Sequence, residues 1–182
     1  LQGLDKPILD SLGIDKNKPK KQQRNQTGSP ILEEGDILLN TTLAETSDWQ
    51  QVDLPVVSTL RHFCIETLSS YTEDNQACIS EVDLLDDKGQ PIDKTKWEVV
   101  YISSEQADKN LGVAENLFDG DISSFWHTDP ATEPGQPHRI IVDIKEIYKI
   151  SALRFKVRKG AFLSGKVKEI NVYGRPQFFL FH

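Results

Sequence analysis

The chain has 182 residues, a net charge of −7 and an isoelectric point near 5.1, with 37% hydrophobic and 27% charged residues. That length and apolar content fit one folded domain with a tail. The acidic balance argues against a phosphate-tracking nucleic-acid surface, and no apolar run approaches the ~20 residues of a membrane span. Met is absent at position 1 and everywhere else, so the chain reads as a processed or excised piece of a larger protein, whose own signal peptide would lie outside it.

Residues 1–35 read as a linker or extended tail. Pro7 and Gly13 could start and stop one helical turn. The following stretch is rich in Lys, Gln, Asn and Pro and lacks the apolar content to fold alone. Its basic cluster, Lys16, Lys18, Lys20, Lys21 and Arg24, reads as solvated linker, with contact to an acidic partner as the alternative. Asn25 and Asn40 each open a glycosylation sequon.

From Asp36 the pattern is β. Short apolar runs at 36–43, 50–57, 61–69, 77–85, 97–103, 138–144, 149–157 and 166–174 are separated by turn signals such as DDKGQP and TEPGQP. No long stretch has a helical period. Many short strands at this spacing predict an all-β fold, an antiparallel β-sandwich. The break in alternation between Val167 and Ile170 predicts a bulge. Trp49, Trp97 and Trp126 read as core residues. Cys64 and Cys78 fall on two runs that could pair, so a disulfide and two half-buried thiols both stay open. Neither has the neighbours of a zinc site.

The stretch 114–128, AENLFDGDISSFWHT, sets oxygen ligands beside aromatics. Asp119, Asp121 and Ser124 in one tight turn offer carboxylates, carbonyls and a hydroxyl, the donors that Ca²⁺ prefers. An ordinary acidic turn is the alternative. No nucleophile elbow, phosphate loop or HExxH pattern is present, so the sequence predicts no enzyme.

Four segments in order, AENLFDGDISSFWHT (114–128), PHRIIVDI (137–144), YKISALRFKVRKG (148–160) and GKVKEINVYG (165–174), resemble the discoidin family. These are the F5/8 type C domains, or family 32 carbohydrate-binding modules. The resemblance implies a jelly-roll sandwich like other galactose-binding domains. The family's remaining strands resemble segments found upstream, LRHFCIETLS (60–69) and ACISEVDLL (77–85). The chain therefore reads as one circularly permuted domain over 36–175, joined through 86–106, with an apolar tail at 176–182. Half of a sandwich would leave a sheet face uncovered, whereas permutation is cheap where termini lie together at the surface.

The resemblance further implies that Glu81 completes a structural Ca²⁺ cage with Asp119, Asp121 and Ser124. It places a sugar near His127 and Arg158, with Phe162 or Tyr71 as the platform; Val157 and Lys159 depart from the family's Pro and Gln. The implied function is a non-catalytic carbohydrate-binding module that holds a larger secreted or surface protein at a glycan. The alternative is a protein-interaction or scaffold module, favoured by the apolar run Phe178–Phe181. Membrane-lipid binding has only Phe162 and Leu163 to support it.

Overall fold

The computed structural model describes residues 28–131, 135–158 and 165–182. The basic cluster, the turn at Pro7–Gly13, the Asn25 sequon and Phe162 lie outside the described residues. The fold is all-β and antiparallel, as the spacing of the runs predicts. Ten strands are present among the described residues: β1 (Pro30–Ile31), β2 (Ile37–Thr42), β3 (Gln50–Thr67), β4 (Cys78–Ile79), β5 (Glu81–Asp86), β6 (Glu98–Ile102), β7 (Trp126–His127), β8 (His138–Lys156), β9 (Glu169–Arg175) and β10 (Leu180–Phe181).

Two pairs of predicted short strands are each one long strand. The runs 50–57 and 61–69 are β3, and the runs 138–144 and 149–157 are β8. The cause is a pair of reciprocal bulges where these strands face each other. On β3, residues 54–57 stand against the single Ser151 of β8; on β8, residues 144–147 stand against the single Arg61 of β3. Pro55, which has no N–H for a ladder, sits inside the first bulge. Lys145, at φ 74°, turns the second, and its N–H is held by Asp143 Oδ1 at 2.7 Å. Arg61 then clamps the same carboxylate through Nε and Nη2 at 2.9 and 3.1 Å.

Bulges of this size let a strand leave one layer and enter the other. The first half of β8 pairs β6 and the end of β3; its second half pairs β5 and the start of β3. The ladder runs β2-β9-β3-β8-β5, with β6 also on β8. Both halves face one apolar core: Phe63, Ile65, Ile140 and Val142 from one, Val82, Leu84, Leu153 and Phe155 from the other. Trp126 is fully buried, with its indole N–H on the Ser104 carbonyl at 3.0 Å. Trp97 meets the edges of Phe63 and Phe118. Trp49 differs from expectation: it is half-buried, with the Arg154 guanidinium 5.0 Å from its ring.

The strand break expected in 166–174 falls before β9, where Lys168 N–H bonds Ser69 and Leu43 N–H bonds Lys168 instead of a regular ladder. Cys64 and Cys78 are both buried free thiols. Cys64 faces away from the main core, with Ile141 and Phe179. Phe179 belongs to the apolar C-terminal run, which packs on the domain itself: β10 pairs β1, while Phe178, Leu180 and Phe181 remain exposed. No helix among the described residues is long and apolar enough to cross a membrane.

Candidate functional site

The turn 119–124 is pinned at both ends. Leu117 and Phe118 are buried before it, Phe125 and Trp126 after it. The buried Asn116 amide donates to the Phe125 carbonyl at 3.0 Å, tying the two ends together. Gly120 has φ 78°, the left-handed region that glycine enters without strain. Asp119 then organises the turn: its Oδ1 accepts from Asp121 N–H at 2.9 Å and its Oδ2 from the Ser124 hydroxyl at 2.5 Å. The Ser124 hydroxyl also lies 3.0 Å from the Asp121 carbonyl oxygen.

Glu81, at the start of β5, reaches this loop from 39 positions away. It is 1% exposed, and its Oε2 accepts from Gly120 N–H at 3.1 Å. The Lys94 ammonium sits on the same oxygen and also bonds Asp83 Oδ1 at 2.6 Å and the Val82 carbonyl at 3.1 Å. Glu81 Oε1 is buried with no hydrogen-bond partner. Burial pushes the Glu81 carboxyl up to about 7, with Asp119 adding to the rise and Lys94 and Gly120 opposing it. An orphaned, buried carboxylate oxygen beside an aspartate, a hydroxyl and a carbonyl fits a hard cation. Among the described residues no three His, Cys, Asp or Glu side chains gather at one point. Such a cation would therefore rely on hydroxyl and carbonyl oxygens as well as carboxylates.

The part of Asp121 that faces the cluster corrects one expectation. Its carboxylate is exposed and turned toward Ser123, accepting from the Ser123 N–H at 2.9 Å and hydroxyl at 2.6 Å. Only its carbonyl points at Ser124.

Near the end of β8, a pocket of about 270 Å³ is lined by Glu45, Ser47, Tyr71, Arg158 and Lys166 among others. Arg158 is half-buried, and its guanidinium carbon lies 4.0 Å from the centroid of the Phe125 ring. That contact fixes a long, otherwise mobile side chain by stacking. Tyr71 is half-buried, its hydroxyl donating to the Leu43 carbonyl at 2.7 Å, with the Lys168 ammonium 5.5 Å from its ring centroid. Lys156 steadies the opposite wall by bonding the Ser47 carbonyl at 2.7 Å. Beneath Arg158, burial pushes the Cys78 thiol up to about 12, with Arg158 opposing the shift.

The structure gathers Arg158 and Tyr71 at this pocket but does not bring His127 to it. His127 is 3% exposed, and its Nδ1 lies 2.6 Å from the Thr128 carbonyl. Burial holds its imidazole below the usual range. The reason is packing: Gly112 approaches so closely that a Cβ there would lie 3.0 Å from the His127 Cβ. Phe125, whose ring centroid is 6.4 Å away, carries Arg158 on its face. His127 thus acts as packing behind the pocket. Lys166 and the 44–47 wall were not foreseen. Lys166 arrives through local chain geometry: Gly165, at φ 77°, places its carbonyl on Cys78 N–H at 2.8 Å, and Lys166 accepts from Tyr71 N–H at 2.7 Å. No linear pattern signals that contact.

Residues 100–177 match the family model described as F5/8 type C domain. A stretch of 84 residues, 45% of this chain, is 32% identical to a sialidase of Micromonospora viridifaciens and covers 13% of that protein. The chain thus spans a small part of this relative's length. The matched family segment contains the loop 114–128, β8, Arg158 and Lys166; Glu81, Tyr71 and the 44–47 wall lie ahead of it.

Proposed function

Residues 100–177 match the F5/8 type C domain family, and from that premise we propose that this chain is a carbohydrate-binding module whose sugar sits in the pocket of Arg158, Tyr71 and Lys166. The observation that carries the reading is Arg158, held over the Phe125 ring and lining a pocket the size of a small ligand. Its N–H groups are donors for sugar oxygens and its position is already ordered, so little conformational entropy opposes binding. A single shallow pocket of this kind binds weakly, with Kd on the order of micromolar to millimolar. Among its described residues the pocket is lined by no His or Cys, and we read its role as attachment.

Ca²⁺ is the second part of the proposal. Glu81, Asp119, the Ser124 hydroxyl and the Asp121 carbonyl would hold it. A bound Ca²⁺ would supply charge neutralisation and cross-link β5 to the loop. The strands that complete the sheet, β2, β3 and β5, precede the matched segment, which supports reading the domain as circularly permuted. An extracellular or surface setting in a larger protein follows from the same reading. A glycan array followed by titration calorimetry tests it: Arg158→Ala should abolish measurable binding with the fold intact. His127→Ala should chiefly lower the melting temperature. Unchanged affinity in Arg158→Ala would move the site elsewhere.

A protein-interaction role has one observation in its favour. Phe178 and Leu180 are 57% and 58% exposed side by side with Phe181 on the C-terminal segment, an apolar patch of the kind that docks partners. An array with no glycan hit would bring this reading forward.

A further inference from the structure

We infer that the ligand of this pocket is an acidic sugar, one bearing a carboxylate or a sulfate; this deepens the carbohydrate reading and rests on it. The chain as a whole is acidic, with 28 Asp and Glu against 21 Lys and Arg. Its pocket inverts that balance. Among the described residues Arg158 and Lys166 line it against the single carboxylate of Glu45. Lys168 stands over Tyr71 at the rim and Lys156 braces the wall. Neither Arg158 nor Lys166 forms an ion pair with a carboxylate among the described residues. Asp74, whose charge reaches Cys78 beneath Arg158, is engaged with the chain: it accepts from Thr72, from Gln76 N–H and from Gly165 N–H at 2.9, 3.2 and 3.1 Å.

Hydrogen-bond polarity points the same way. A neutral sugar presents hydroxyls, each of which donates and accepts, and it needs acceptors from the protein. Arg and Lys only donate. Tyr71 directs its hydroxyl proton to Leu43, which leaves its oxygen as one acceptor beside these donors. The two cationic donors of the lining, Arg158 and Lys166, are matched by a group that only accepts. A carboxylate or sulfate presents such oxygens in a plane or fan, which the guanidinium edge can engage with two parallel bonds. One face of Arg158 lies over Phe125, and its guanidinium also bonds the Cys78 thiol beneath it.

The test uses the whole chain and three oligosaccharide classes: a neutral galactan, a hexuronic acid oligomer and a sulfated galactan, titrated at low and at physiological salt. The expected result is that at least one anionic class binds about tenfold or more tighter than the neutral one and weakens as salt rises. The hexuronate and sulfate arms tell which anion is preferred. Lys166→Gln and Arg158→Gln should bring anionic binding to the neutral level, and Arg158→Lys should fall between, keeping charge without the fork; melting curves confirm folding of each. Neutral galactan binding equal to or tighter than both anions would overturn the acidic-sugar inference and leave a sugar module. No binding in any arm would overturn both.

Discussion

The backbone N–H of Gly120 donates to the Oε2 of Glu81 at 3.1 Å, joining a tight turn to a strand 39 positions earlier in the chain. The bond joins two segments that carry the expected calcium donors, and it leaves the other Glu81 oxygen buried without a partner.

Calcium addition should therefore raise the melting temperature, and chelation should lower it, because an ion bound only by the folded state stabilises by mass action. Asp119→Ala should erase that response. Asp121→Ala should retain most of it, since its carboxylate holds Ser123 and only its carbonyl faces the cluster. Scanning calorimetry with and without EDTA decides; an identical melt in both conditions for the native chain would reduce the turn to an ordinary acidic one.

Lys94 would share Glu81 with the proposed ion. Its ammonium, 17% exposed, contacts Glu81 and Asp83. Lys94→Met should destabilise the chelated protein by about 1–3 kcal/mol, as it strips a buried carboxylate of its countercharge. The same change should increase the stabilisation gained from calcium, because a like charge is removed. Urea titrations in EDTA and in calcium measure both effects, and a variant with unaltered chelated stability would deny Lys94 its bracing role.

His62 should make the protein acid-sensitive. Its ring is 1% exposed, stacked 4.2 Å from Phe178, with Nε2 3.6 Å from Asp143 Oδ1. Arg61 precedes it, and Arg175 is its register partner on β9. Burial holds the imidazole below its ordinary 6.5, with Asp143 opposing and Arg61 reinforcing that shift. The unfolded chain therefore takes up a proton at a pH where the folded chain does not. Stability from this group is complete above the unfolded value and falls as pH drops below it toward the folded value. Melting temperature should decline as pH drops from about 7 toward the folded value, and His62→Gln should flatten part of the decline. A parallel decline in that variant would assign the sensitivity to another group.

Cutting the chain to residues 100–177 should abolish cooperative folding. β8 would lose both β3 and β5, uncovering Ile140, Val142, Leu153 and Phe155 from the core. Residues 28–182 should unfold in one transition. A cooperative melt of the short piece would show that the upstream strands are dispensable and remove the support for permutation.

What the sequence determined by itself was whatever is encoded over a few residues. The β class follows from short alternating runs and turn residues. The DGD turn was legible because Asp119, Gly120, Asp121 and Ser124 act on one another within a single loop. What only the tertiary structure decided was whatever depends on register. Runs 138–144 and 149–157 looked like two strands because residues 144–147 break the alternation; they are one strand because those four residues bulge against Arg61. His127 was expected at the sugar from the family resemblance, yet it is covered: β7 pairs β4, and Gly112 closes over it. Arg158 and Phe125, 33 positions apart, meet only because the end of β8 passes the exit of the loop. Lys166 reaches the same pocket through the left-handed turn at Gly165. Local propensity has a range of a few residues, whereas a pocket is a convergence of segments whose spacing is set by strand pairing and core packing.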